Sequence, residues 1–210
     1  MAFGSGSWYR RRALQRAGLA PGMSVVDVGV GTGLVAREAA RLVGDAANVT
    51  GVDPSSGMVA QARVPAGVRL ITGRAEAIPL PDECADFLCM GYALRHISDV
   101  SLALSEFWRV LKPGGMLCLL EITRPDRAVP RALLQAYLRG VVPMLAYIVA
   151  RQPETPQLMR FYWDTIAACA PPRAIMTAIE EAHFMAVTHH VELGVFSEYR
   201  ASKPRAARLL

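Results

Sequence analysis

One ten-residue stretch concentrates the residue types that bind a nucleoside ligand: Val25-Val26-Asp27-Val28-Gly29-Val30-Gly31-Thr32-Gly33-Leu34. Glycine directly after an apolar strand lets the backbone turn tightly. The amides opening the next helix then face whatever binds there. The dinucleotide fingerprint G-x-G-x-x-G needs glycine at position 34, where leucine stands, so the spacing here is G-x-G-x-G behind an acid. A pyrophosphate gains nothing from a nearby carboxylate. A cationic amine does, and Asp27 is close enough to help hold one. Twenty residues after Gly33 a second apolar run ends in Val52-Asp53. An acid at that point of a βαβ unit hydrogen-bonds ribose hydroxyls. Asp27, Gly29, Gly31, Gly33 and Asp53 together suit an adenosine that carries an amino acid, which is S-adenosylmethionine. The competing reading is a structural glycine turn with an exposed strand-end aspartate.

The elements that would position these residues follow from periodicity. Apolar runs at 25–28, 49–52, 68–72, 85–90 and 116–122 read as strands. Between them, 34–43 carries apolar residues at helical spacing and stops at Gly44, 55–62 reads as a short helix, and 100–111 as a longer one. Lys112-Pro113-Gly114-Gly115 is expected to end that helix sharply. Strands that are continuously apolar and alternate with helices imply a parallel sheet covered on both faces. Residues 128–160 lack the alternation and read as a helical or irregular insert. A helix at 174–182 and strands near 186–193 and 195–199 follow. The expectation is one α/β domain over residues 1–210, a doubly wound, mostly parallel Rossmann-like sheet with an insert before its last two strands.

Composition sets the outer bounds. The 210 residues are 52% apolar and 20% charged, enough apolar content for a single core and too much for a disordered chain. Cys84, Cys89, Cys118 and Cys169 form no CxxC pair, which argues against a zinc ribbon or a thioredoxin-type site, and no metal is expected. Net charge is +5, a prompt to consider nucleic acid. The excess is terminal: Arg10, Arg11 and Arg12 at one end, Arg200, Lys203, Arg205 and Arg208 at the other. Residues 13–199 carry 16 basic against 18 acidic side chains. No nucleic-acid motif accompanies the charge, so no nucleic-acid partner is expected. The most apolar stretch, 133–150, has a clean run of only ten residues, too short to span a bilayer. A cytoplasmic protein is expected, with peripheral contact to an anionic membrane surface through the basic ends and 133–150 as one partner reading and a homodimer left open.

Further segments carry a resemblance. The glycine turn with its two acids looks like that of a class I S-adenosylmethionine-dependent methyltransferase. Gly73-Arg74-Ala75-Glu76-Ala77-Ile78-Pro79-Leu80-Pro81-Asp82 resembles the family loop AEALPFPD, and Tyr92-Ala93-Leu94-Arg95-His96-Ile97-Ser98-Asp99 resembles FGLRNVTD. Arg109 to Gly115 is similar to RVLKPGG, and Leu120 to Pro125 to LEFSKP. Together these resemble the UbiE family of ubiquinone/menaquinone biosynthesis C-methyltransferases, from Phe3 to Lys203 and more weakly past Asp126. The resemblance implies that Thr32 contacts the cofactor, Asp53 holds its ribose and Met58 packs on its adenine. It also implies that Arg74 and Ala75 meet the adenine edge through backbone, and that Gly91 lies beside the methionyl group. Departures cluster on the expected substrate side. His96 replaces the LRN asparagine, Arg74 replaces an Asp or Asn, and Ala182-His183-Phe184 stands for AGF. Family members also have about 25 residues, including a Tyr-Asp pair, before the motif SFGxHRxW in which this sequence begins, so an internal start or a shortened lid is expected.

In open α/β sheets, sites form at the carboxyl ends of the strands. Arg95 and His96 are therefore the catalytic candidates: Arg95 to stabilise a phenolate oxygen, His96 to accept a proton. The structural alternatives are that Arg95 pairs with Asp99 or Glu121 and that His96 caps the next helix. Tyr137, Tyr147, Phe161, Tyr162 and Trp163 are read either as ordinary core or interface packing or as the lining of an apolar pocket for a small lipophilic aromatic acceptor, a quinol or phenol carbon. Methylation of a natural product or phospholipid amine, or a cofactor-binding protein with impaired catalysis, are the rival functions.

Overall fold

The computed structural model describes residues 5–122 and 169–205, with Ala132, Gln135, Ala136, Asp164 and Thr165 between them. The 133–150 stretch and the five aromatic pocket candidates lie outside these, apart from Gln135 and Ala136. The described elements are α1 (Ser5–Arg16), β1 (Val25–Val28), α2 (Leu34–Val43), β2 (Val49–Asp53), α3 (Ser56–Gln61), β3 (Arg69–Thr72), β4 (Ala85–Gly91), α4 (Val100–Val110), β5 (Leu111–Ile122), α5 (Pro172–Glu181), β6 (Met185–Glu192) and β7 (Phe196–Ser202). Single 3-10 turns at Ala46–Asn48 and Leu94–His96 lead into β2 and α4.

Seven strands form one sheet in the order β3-β2-β1-β4-β5-β7-β6. β1 pairs in parallel with both β2 and β4, β3 pairs with β2, and β4 with β5. β7 runs antiparallel between β5 and β6. From β1 the chain winds outward to β2 and β3, then crosses back to β4 on the other side. The reversal leaves a crevice beyond the carboxyl ends of β1 and β4, the topological switch point where ligands bind in open α/β sheets.

Two apolar layers flank the sheet because successive side chains of a strand point to opposite faces. Val26, Val28, Leu88, Met90, Leu117 and Leu119 pack with Phe107 of α4 and Ile175 and Ile179 of α5. Val25, Phe87, Cys89, Cys118 and Leu120 pack with Tyr9 and Leu14 of α1 and Val35 and Ala39 of α2. By the same alternation Asp27 falls on the α1/α2 face.

Most expected elements sit where periodicity placed them; two features were not foreseen. The α1 helix had no counterpart among the expected elements, although Tyr9, Ala13, Leu14 and Ala17, all buried, recur at helical spacing. The Lys112–Gly115 turn does end α4, but it is enclosed within β5. Leu111 pairs with Ala85, Lys112 to Gly115 bulge out, and pairing resumes at Met116 with Phe87. There Lys112 Nζ donates to Asp86 Oδ1 at 2.8 Å, holding the bulge against β4.

The basic ends are largely built into the fold. Arg11 pairs with Glu38 of α2 at 3.0 Å, and Arg16 donates to Glu198 of β7 and Glu192 of β6. Arg200 donates to the Arg16 carbonyl. Lys203 Nζ is buried and donates to the carbonyls of Trp108 and Leu111 and to Glu83. Arg12 lies over the exposed Trp8 ring on the outer face of α1. Among the described residues no helix is long and apolar enough to cross a membrane.

Candidate active site

Backbone builds the first half of the site. The Gly29 and Val30 amides both donate to the Val52 carbonyl, which binds the glycine turn to β2. Gly29 has φ 70°, and a Cβ there would lie 2.7 Å from the Ala93 Cβ. Ala93 replaces the glycine of the FGLRN pattern, and Gly29 is the residue that leaves room for it. The Gly31 amide donates to Asp53 Oδ2 at 2.8 Å, and the Ser55 amide donates to Asp53 Oδ1 at 2.9 Å. These bonds fix the Asp53 carboxylate at the rim of the turn. Each of its oxygens still has a lone pair to accept from a ribose hydroxyl. Met58 of α3 is 37% exposed, and its Cε comes within 3.5 Å of where a Gly31 Cβ would stand. An apolar surface thus overhangs the turn on the β2 side, as adenine stacking requires. Thr32 is exposed at the tip of the turn. The donor set and this cleared backbone fit an S-adenosyl group.

Asp27 sits differently from its neighbours. It is 1% exposed, and Oδ2 accepts from the Ala36 amide at 2.8 Å while Cys89 Sγ lies 3.7 Å from Oδ1. Gly33, the residue before α2, has no side chain with which to cap that helix. Asp27 supplies the missing acceptor from β1 and places negative charge at the positive end of the helix dipole. Burial pushes its carboxyl up from 3.8 to about 7, partly offset by the Ala36 bond. This carboxylate is committed to α2; holding an amine would require a second contact from the same group.

On the adenine side, Arg74 is 66% exposed and meets Glu76 at 3.6 Å, while Ala75 is buried. The Ala77 amide donates to the Arg74 carbonyl, so the segment is a tight backbone turn beyond β3. Gly91 closes β4, and a Cβ there would lie 2.5 Å from Val35 Cγ2 of α2. Tyr92 follows with φ 61°, its amide donating to the Leu120 carbonyl. The sharp turn at 91–92 carries the chain across the carboxyl end of β4.

The second half of the site is built from side chains. Arg95 NH1 donates to Glu121 Oε1 at 2.6 Å and to the Tyr92 carbonyl at 2.7 Å, and Nε donates to Thr165 Oγ1 at 3.2 Å. Both side chains of the ion pair are buried, at 3% and 1% exposure. Of the two structural alternatives for Arg95, the pairing with Glu121 is the one the structure shows. His96 ends the 3-10 turn with its amide donating to the Ala93 carbonyl. It does not cap α4, because Asp99 Oδ1 accepts from the Leu102 amide at the position that cap would take. Partial burial and the neighbouring Arg95 charge lower the His96 pKa below its ordinary value.

Glu121 was not among the sequence candidates for the site. Glu121 as a partner for Arg95 was weighed only as a structural alternative. Among the described residues no group of His, Cys, Asp and Glu side chains could hold a metal ion.

Comparison with known proteins agrees with this geometry. The profile of the ubiE/COQ5 methyltransferase family matches residues 1–203. The Ubiquinone/menaquinone biosynthesis C-methyltransferase UbiE of Shewanella sediminis (strain HAW-EB3) is 32% identical over 162 residues, 74% of this chain and 64% of the relative. That of Shewanella halifaxensis (strain HAW-EB4) is 30% identical over the same shares. The chain thus spans just under two thirds of the length of these relatives. A SAM-dependent methyltransferase from Aquifex aeolicus superposes with a TM-score of 0.66 at 22% identity, covering 92% of this chain and 89% of its own. Phosphoethanolamine N-methyltransferase 2 of Haemonchus contortus, solved with S-adenosyl-L-methionine, gives 0.66 at 18% identity over 94% and 53%. Both share the Rossmann-like class I architecture. With its profile match running from the first residue to Lys203, the chain belongs to the ubiE/COQ5 methyltransferase family.

Proposed function

We propose that this chain binds S-adenosylmethionine across the carboxyl ends of β2, β1 and β4 and transfers its methyl group to a small lipophilic aromatic acceptor, a quinol or phenol carbon. The observation that carries the reading is the Asp53 carboxylate, held by the Gly31 and Ser55 amides beside a side-chain-free turn. It supports a ribose at β2, with Met58 over the adenine. Asp27 acts in this reading by holding the start of α2 and, through it, the turn. Bound S-adenosylmethionine supplies the electrophilic methyl group; the protein supplies position, which carries much of the rate in such a displacement.

Carbon methylation also releases a proton from the acceptor ring. In this reading His96, exposed at the end of the 92–96 loop and with its pKa held below the ordinary value, accepts that proton. Arg95, bound to Glu121, Tyr92 and Thr165, holds the 92–96 loop in the shape that presents His96. The UbiE relatives named above favour a quinol acceptor over a natural product or a phospholipid amine. A peripheral contact with anionic lipid is assigned to the α1 face carrying Trp8 and Arg12; vesicle flotation should weaken in a Trp8→Ser, Arg12→Ser variant.

Binding and turnover of labelled S-adenosylmethionine against a panel of quinols tests the proposal. Micromolar binding with methylated quinol as product is expected. No binding overturns the enzyme reading, and binding without turnover on any quinol moves the weight to another acceptor or to a non-catalytic protein.

A further inference from the structure

Arg10 behaves unlike the cations beside it. Arg11 and Arg16 on the same helix are each ion-paired, to Glu38 and to Glu192 and Glu198. Arg10 has no acidic partner among the described residues, and its Nε is buried and makes no hydrogen bond with any of them. A buried guanidinium N–H left unpaired costs free energy, so its persistence calls for a partner that arrives from elsewhere.

The place it occupies says which partner. The Arg10 guanidinium lies against the Tyr92 hydroxyl, opposing the burial that pushes that hydroxyl up to about 12. Tyr92 follows the last residue of β4, Ala93 approaches Gly29, and Val28 of β1 pairs with Met90 of β4. Arg10 therefore reaches the crevice at its β4 side, across β1 from Asp53. In the reading given above, the ribose is at Asp53, and the amino-acid end of S-adenosylmethionine extends toward Gly91 and Tyr92. That end carries the ligand's one carboxylate. Glu121, the acid that acts on the Tyr92 hydroxyl, repels a carboxylate, and the neighbouring cation Arg95 is already paired with it. Arg10 is the cation at hand, and a guanidinium binds a carboxylate in a two-pronged, charge-assisted contact.

We infer that Arg10 is the carboxylate-binding residue for the methionyl end of the cofactor, with the Tyr92 hydroxyl as its companion donor, so that α1 closes over the donor site. The inference rests on S-adenosylmethionine binding as proposed above. It makes α1 part of the donor site as well as of the core: Tyr9 stacks on Phe196 at 4.8 Å and Arg16 ties the helix to β6 and β7, which fixes the helix from which Arg10 projects.

The test is a ligand comparison by titration calorimetry. Wild type, Arg10→Ala, Arg10→Lys and Arg11→Ala are each titrated with S-adenosylmethionine and with decarboxylated S-adenosylmethionine, which lacks only the carboxylate. Arg10→Ala should weaken S-adenosylmethionine roughly tenfold to a hundredfold, the range of a charge-assisted bond, and leave the decarboxylated ligand within about twofold. Arg10→Lys should recover part of the loss, and Arg11→Ala should change neither. Equal losses for both ligands, or no loss for either, would overturn the assignment. If Arg10→Ala melts early, the Arg10→Lys variant decides by the same two-ligand difference. If wild type binds neither ligand, the cofactor reading fails and the inference with it; if wild type binds both with equal affinity, only the carboxylate assignment fails.

Discussion

The half of the crevice proposed for the methyl donor and the half proposed for the acceptor are made of different materials. At β1 and β2 the determinants are mostly backbone: the Gly29 and Val30 amides on Val52, the Gly31 amide on Asp53, and a missing Cβ opposite Ala93. At the ends of β4 and β5 they are side chains, with Arg95 and Glu121 buried as an ion pair that also reaches Tyr92 and Thr165. A backbone-built site tolerates drift in side chains and keeps its ligand. A site built from side chains can be retuned by one substitution, and it is on this half that the sequence departs from the family pattern, at His96 above all. The contrast is breakable at several points.

The largest effect is expected at the ion pair. Glu121→Ala leaves the Arg95 guanidinium buried and uncompensated, which costs about 3–5 kcal/mol. Denaturant unfolding should show that loss, and the 92–96 loop should lose its shape with it. Turnover should fall much further than S-adenosylmethionine affinity. A variant with affinity and turnover reduced alike would mean that the two halves are not separable.

Next comes Asp27, whose buried side chain holds the start of α2. Its carboxyl titrates near 3.8 unfolded and about 7 folded, because burial favours the neutral form. Below pH 3.8 both states hold the proton and the contribution is fully present. It is lost as pH rises toward and through about 7, since only the unfolded state has already released its proton. Asp27→Asn keeps an acceptor for the Ala36 amide and abolishes the titration. The variant should match wild type near pH 4 and exceed it at pH 8.5 by on the order of 4 kcal/mol. Equal pH dependence of unfolding in the two proteins would remove Asp27 from this account.

Gly29→Ala probes the clearance itself. A Cβ at 2.7 Å from the Ala93 Cβ, on a backbone at φ 70°, should cost roughly 1–3 kcal/mol. Ala93→Gly should restore a good part of it, since that is the atom in the way, and the double variant should regain cofactor affinity. Non-additivity of that kind is the mark of direct contact. Additive losses would show that strain at Gly29, not contact with Ala93, sets the cost.

How much of this could be read from residue order follows from distance along the chain. The glycine turn, Asp53 and the α2 start lie within thirty residues, and their spacing alone implied a nucleoside site. Strand and helix positions through β5 followed from period 2 and period 3.6. Asp27 was legible as an acid at the turn but not in its direction. The alternation that sends Val25 to the α2 face sends Asp27 there too, a signal available in the sequence. Glu121 as the chosen partner of Arg95 was not, since 26 residues separate them and only the β4–β5 register brings them together. The basic run at Arg10 to Arg12 read as solvated or membrane-facing charge. Arg11 turned out to be ion-paired and the Arg10 Nε to be buried, because α1 packs between α2 and β7, with one contact nearly two hundred residues apart in sequence.

The smallest expected effect is the sharpest check on the backbone claim. Arg74 is 66% exposed, and its partner Glu76 stands at 3.6 Å, an ion pair that solvent largely screens. If the adenine edge is met by the backbone of Arg74 and Ala75, then Arg74→Ala should leave stability within about 0.5 kcal/mol and S-adenosylmethionine affinity within about twofold. The same substitution would be costly if the guanidinium stacked on the base, because cation–π contacts with a desolvated ring reach about 2 kcal/mol. A tenfold loss of affinity would therefore place a side chain at the centre of the donor half, and the division between a backbone-built donor site and a side-chain-built acceptor site would no longer hold.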